Sequence, residues 1–159
     1  MVLDKKKIRD ILIWVLMFQL VGALLGFITQ TNIAPWYQIL NKSSLTPPPI
    51  VFSIVWPILY VLLALVGYLL WHHRHEPRSR VALYFFIPQM LMNWSWTVLF
   101  FKLHYIGLSF IWILVMAALT LITLYVTRIE LKRVSIMLLP YLLWILFAAY
   151  LNGVIWLFN

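Results

Sequence analysis

The chain has 159 residues, of which 65% are hydrophobic and 10% charged, against about 45–50% apolar and about 25% charged in an average soluble domain. A net charge of +8 would suggest a nucleic-acid partner in a soluble protein, but these basic residues sit only in short connections between apolar runs, so a nucleic-acid partner is excluded. With no cysteine present, disulfides and thiolate metal sites are excluded too.

A bilayer core of about 30 Å takes about 20 residues of apolar helix, and five stretches with no charge in their interior fit it, at roughly 10–30, 49–71, 81–101, 106–127 and 135–157. The expected fold is an all-α integral membrane protein, one five-helix transmembrane bundle over 1–159 with a lid loop at 31–48. The first span is too long for a signal-peptide core and lacks a small-residue cleavage pattern after it, so it reads as a retained helix with the chain starting near Met1. Alternation of sides puts Lys5, Lys6, Lys7, Arg9, Arg74, Arg78, Arg80, Arg128, Lys132 and Arg133 together, against Lys42 and Lys102. By the positive-inside rule the amino terminus is cytoplasmic and Asn159 outside.

In the first span Gly22 and Gly26 have Gly-x-x-x-Gly spacing, which lets a backbone approach closely either within the bundle or across a dimer. Gln19 shares their side and needs a partner. The second span begins after Pro47, Pro48 and Pro49, residues suited to a first helical turn. Phe52, Trp56 and Tyr60 then form one stripe, with Pro57 bending the helix beside it. A bend next to an aromatic stripe makes a concave wall.

The "HHRH" run, His72 to His75, ends this span in a short turn where only Glu76 could complete a metal-ligand set, so a metal site is not expected. In the third span Gln89, Asn93, Trp96 and Phe100 share a face, and Pro88 should kink the helix. An amide at mid-membrane has to point into the bundle. In the fifth span Trp144, Ala148, Leu151 and Asn152 line one face, where a large indole beside a small residue leaves room for something flat. Trp14, Trp71, Trp112 and Trp156 read as interfacial anchors. No carboxylate or basic side chain lies inside a span, which argues against proton relays, ion coupling and voltage sensing. No hydrolytic triad can be drawn.

Taken in register, three stretches resemble the translocator protein family, also called tryptophan-rich sensory proteins and peripheral-type benzodiazepine receptors. They are Trp36, Tyr37, Leu40, Lys42, Pro47, Pro48, Trp56 and Tyr60; Gln89, Asn93, Trp94, Trp96, Phe100 and Phe101; and Pro140, Tyr141, Trp144, Phe147, Ala148, Leu151 and Asn152. The resemblance spans essentially the whole chain and implies a bacterial-type member in the cell membrane, usually a homodimer. The implied pocket lies under the first loop, for porphyrins such as protoporphyrin IX and haem or for isoquinoline and benzodiazepine-type ligands, with no covalent cofactor. Matching pocket residues are Tyr37, Pro47, Pro48, Trp56, Tyr60, Asn93, Trp96, Trp144, Ala148 and Leu151.

Three departures stand out: Ser43 and Leu45 replace a Pro and a Trp, and Trp112 stands where many relatives have an acid. Sterol binding is not expected, because the animal motif needs a basic residue after a carboxyl-terminal Tyr and none follows Arg133. The loose pattern also occurs at Leu121, Tyr125 and Arg128, which shows how permissive it is.

A porphyrin is a flat plate with two carboxylates. Trp56, Tyr60 and Trp144 could supply faces, and Lys42 or Lys102 a charge-assisted partner for a propionate. Three accounts follow: a tetrapyrrole-binding sensor, scavenger or carrier; a light-dependent porphyrin-degrading enzyme using Trp56 and Trp144; and a structural or stress-response subunit.

Overall fold

The computed structural model describes residues 4–159, so the expected start near Met1 lies outside the described residues. Asp4 begins the fold by accepting the Lys6 N–H at 3.2 Å, a side-chain cap on one of the donors a helix start leaves unpaired. Helix α1 runs over Lys5–Asn32, α2 over Trp36–Ile39 and α3 over Pro49–His72. Helix α4 follows at Pro77–Thr97 and continues into a π-helical turn, Val98–Lys102, before α5 at Ile106–Thr127 and α6 at Lys132–Phe158. Pro49 and Pro77 each occupy a first helical turn, where a missing N–H costs nothing.

The expectation of five helices needs correcting to six among the described residues, because the 31–48 connection folds a short helix of its own. Four helices, α1, α3, α5 and α6, are long and apolar enough to cross a membrane. Helix α4 is long enough, but Arg78, Arg80, Gln89 and Asn93 lower its mean hydropathy, so length and apolarity alone give four crossing helices.

The distribution of side chains is inverted relative to a soluble protein. Leu20, Phe27 and Leu143 are each about two-thirds exposed, whereas Gln89 is 1% exposed and Asn93 4%. Apolar surface facing outward with amides turned inward is what a hydrocarbon solvent demands.

Around the bundle α1 packs on α3, α3 on α6, α6 on α5, α5 on α4 and α4 back on α1. At one end Arg78 meets Glu130 at 2.8 Å, joining the first turn of α4 to the α5–α6 connection. At the other, the 33–48 segment, the 103–105 turn and the end of α6 meet. Prolines 57, 88 and 140 lie inside α3, α4 and α6, each removing one intrahelical bond.

The two glycines of α1 have different surroundings. A Cβ on Gly22 would lie 2.6 Å from the ring of Tyr60, whereas one on Gly26 would have nothing within 4 Å. Gly22 therefore serves packing within the chain, and Gly26 looks outward. Tyr60 is buried and hydrogen-bonded, so its ring cannot yield freely. Gly22→Leu is expected to lower stability by about 1–3 kcal/mol, read as a drop in melting temperature in detergent, while Gly26→Leu leaves it nearly unchanged.

Candidate functional site

Four buried polar side chains meet at the centre of the bundle. Tyr60 Oη on α3 donates to Asn93 Oδ1 on α4 at 3.0 Å, Asn93 Nδ2 donates to Tyr141 Oη on α6 at 2.9 Å, and the Gln89 amide also meets Tyr141 Oη. As placed, the Tyr141 oxygen accepts from two amides while Gln89 Oε1 has no partner. Turning the Gln89 amide over lets Tyr141 donate to Oε1 while accepting from Asn93, and moves the unpaired position from Oε1 to Nε2. Alongside, Gln19 Nε2 reaches the Pro57 carbonyl at 2.8 Å, the partner its position requires.

Outside this node, between α3 and α6, a groove of about 410 Å³ is lined by Val55, Ile58, Leu59, Pro140, Leu143, Trp144 and Phe147. Its aromatic side is a run along α6: Trp144 and Phe147 at 5.9 Å between ring centres, then Phe147 and Tyr150 at 6.4 Å. Phe52 meets Trp144 edge-on at 5.6 Å. The Trp144 Nε1–H is buried with no hydrogen-bond partner in the protein. Beyond this run, at the lid end of the bundle, Tyr150 Oη and Ser43 Oγ lie 3.0 Å apart.

The segment expected as a loop is a structured lid. Trp36 stacks on His104 at 3.9 Å and packs edge-on to Phe100, and Tyr37 packs against Phe100 and Phe101. Burial pushes the Tyr37 phenol pKa up, so the ring stays neutral at physiological pH. His104 holds a left-handed backbone, φ 58°, uncommon for a residue with a Cβ; that turn sets its imidazole on the Trp36 indole. The Lys42 ammonium donates to the carbonyls of Tyr37, Gln38 and Leu40 at 2.8, 3.2 and 3.0 Å. An ammonium has three donors, so Lys42 closes the end of α2 rather than standing free. The lid is also tied to α6: Asn41 N–H donates to Asn159 Oδ1 at 2.9 Å, and Asn159 Nδ2 returns to the Asn41 carbonyl at 3.1 Å.

Of the residues expected to form one pocket, the structure joins Tyr60 and Asn93 directly, with Trp56 leaning on Tyr60 at 5.5 Å. Trp56 and Trp144 do not stack on one another; Trp144 meets Phe52 and opens onto the groove. Trp96 stacks on Phe100 at 5.1 Å and donates to the Ser109 carbonyl at 3.2 Å, committing it to packing. Ala148 is half-buried and Leu151 buried on the Trp144 stripe; Pro47 is half-buried and Pro48 exposed ahead of α3. Lys102 is exposed on the π turn, which packs on α1 and α5, away from the α3–α6 groove. Asn152 is buried with neither amide atom bonded to protein. Among the described residues no group of three His or acidic side chains could hold a metal.

Trp112 differs from the interfacial anchor expected of it. Its indole N–H bridges Met92 O at 3.1 Å and Ser95 Oγ at 3.2 Å, so it clamps α5 to α4 and itself supplies the polar contact that an acid's absence seemed to remove. Asn41, Asn159, Tyr150 and His104 are residues the sequence reading missed. Only their shared side of the bundle hinted at contact, since Asn41 and Asn159 are 118 positions apart.

Comparison with known proteins finds matches over most of the chain. The sequence profile of the TspO/MBR family matches residues 14–157. The chain is 38% identical over 137 residues to the tryptophan-rich protein TspO of Archaeoglobus fulgidus, covering 84% of this chain and 86% of that one. It is 32% identical over 149 residues to the translocator protein of Sus scrofa, covering 87% and 86%, and 30% identical over 126 residues to protein CrtK of Rhodobacter capsulatus, covering 78% of each.

Two outcomes are expected. Tyr141→Phe leaves buried amides unpaired and should lower stability in detergent by about 1–2 kcal/mol. Asn159→Ala should free the lid, read as an increase of about tenfold in hydrogen exchange at the Asn41 amide.

Proposed function

The chain belongs to the TspO/MBR family, and from that premise we propose that it is a membrane sensor or translocator whose ligand is a flat amphiphile of the tetrapyrrole class, such as protoporphyrin IX or haem. The observation that carries this reading is the α3–α6 groove. It offers an apolar slot and an aromatic run at Trp144, Phe147 and Tyr150. Stacking on such faces contributes about 0.5–1.5 kcal/mol per ring pair beyond area burial. The rim ends in hydroxyls from Ser43 and Tyr150, next in sequence to Lys42. A carboxylate there meets a polar edge of two hydroxyls while the ring lies in the slot.

The same proposal makes α4 the fifth membrane helix, because its amides turn inward while Tyr84, Ile87 and Leu91 face out. It puts the basic end of the bundle in the cytoplasm and takes the protein as a homodimer in its cell membrane. Isoquinoline and benzodiazepine-type compounds, flat and apolar, fit the same slot.

The test is a titration of protoporphyrin IX in the dark, followed by tryptophan fluorescence, then illumination with the absorption spectrum recorded. Trp144→Leu should weaken binding about two- to tenfold. Tyr150→Phe should weaken it about two- to tenfold by removing a hydroxyl partner of the carboxylate, while Lys102→Ala, away from the groove, leaves it unchanged. Conversion of the porphyrin band under light, lost in Trp144→Phe, would make the protein an enzyme; a lack of saturable binding would point to a structural subunit.

A further inference from the structure

On the opposite flank of the bundle, between α1 and α4, a second cleft of about 190 Å³ is walled by Trp14, Trp71, Leu83, Ile87, Leu91 and Trp94 among others. It is entirely apolar along its length. On α4 it runs from Leu83 to Trp94, eleven positions (94 − 83), or about 16 Å at 1.5 Å per residue. That matches the hydrocarbon of a single leaflet, half of a core of about 30 Å. At its open end Trp71 is half exposed, and the Arg74 guanidinium lies 5.1 Å over its ring, oriented by a 3.0 Å bond to the Trp71 carbonyl. Arg80 lies exposed on the first turn of α4. Arg78 is engaged with Glu130, and Glu76 is the only acid between Arg74 and Arg80.

From this length and charge we propose that the α1–α4 cleft is a binding site for one anionic phospholipid, with an acyl chain along the cleft and the phosphate held by Arg74 at its mouth. The site is independent of the tetrapyrrole reading, needing only that the bundle sit in a bilayer. Gly67 shapes the wall beneath the lipid: a Cβ there would come within 2.6 Å of Trp14 and 3.3 Å of Phe86, so a larger residue would push the Trp14 edge away from α3. An Arg near the surface favours an anionic lipid by about fivefold.

The full-length protein would be reconstituted with equal amounts of phosphatidylglycerol and phosphatidylcholine, extracted in mild detergent, and its retained lipid counted by native mass spectrometry. Wild type should keep phosphatidylglycerol about fivefold over phosphatidylcholine, and Arg74→Gln should bring the two near parity. Leu91→Trp, which fills the cleft from an exposed position, should reduce retention of both, with circular dichroism confirming the fold. Equal retention of the two lipids by wild type, or an unchanged preference in Arg74→Gln, would overturn the proposal. So would a disulfide between two copies of Ile87→Cys combined with unaltered lipid retention in Leu91→Trp, since a second copy would then occupy the cleft.

Discussion

A polar group inside a membrane bundle has no water to fall back on, and the arrangement of this chain follows from how it meets that constraint. Tyr60, Asn93, Tyr141 and Gln89 find one another because nothing else at mid-bundle can satisfy them. Their bonds cross α3, α4 and α6 at one level, so the rotation of three helices is fixed together. Gly22 then has to be small, since the Tyr60 ring occupies the space its side chain would take. Helix α5 is joined by a different device, two indole N–H groups: Trp96 donates to Ser109 of α5, and Trp112 of α5 donates back to α4.

This solution has a consequence for binding. A polar node at the centre leaves the aromatic face of α6 turned toward the α3 flank, where Trp144 looks sideways into the hydrocarbon region rather than upward beneath the lid. Access to such a slot is from the lipid, and the lid closes the end of the bundle that faces water. For a membrane sensor or translocator, a ligand that partitions into the bilayer before binding needs no aqueous channel. The lid's own fastening is polar and external: asparagine to asparagine, lysine to backbone carbonyls, indole to imidazole.

Much of the helical architecture was legible because runs of about 20 apolar residues have few alternatives in water or lipid. The inward direction of Gln89 and Asn93 was legible for the same reason, as was Gln19's need for a partner. Hydropathy could not reveal that the 31–48 segment carries helix α2, which depends on tertiary contacts from Phe100, Phe101 and His104. The stripe Trp56–Tyr60 and the stripe Trp144–Leu151 were both visible as periodicities. Whether two stripes face each other depends on the rotation of their helices, which the buried hydrogen bonds decide. Likewise Trp112 looked like a boundary residue from its place near a helix start, and only the neighbouring helix made it a clamp.

The π-helical turn at Val98–Lys102, with Leu103 N–H bonded to the Val98 carbonyl at 2.9 Å, widens the helix by one residue per turn. Adjacent side chains on an α-helix point about 100° apart, at 3.6 residues per turn, yet Phe100 and Phe101 are both buried against the lid. Such a turn is equivalent to a single inserted residue. A variant shortened by one codon here would recover an ordinary helix, swing one phenylalanine toward lipid and shift the His104 turn out of phase with Trp36. Chain length at this point is therefore under the same constraint as residue identity.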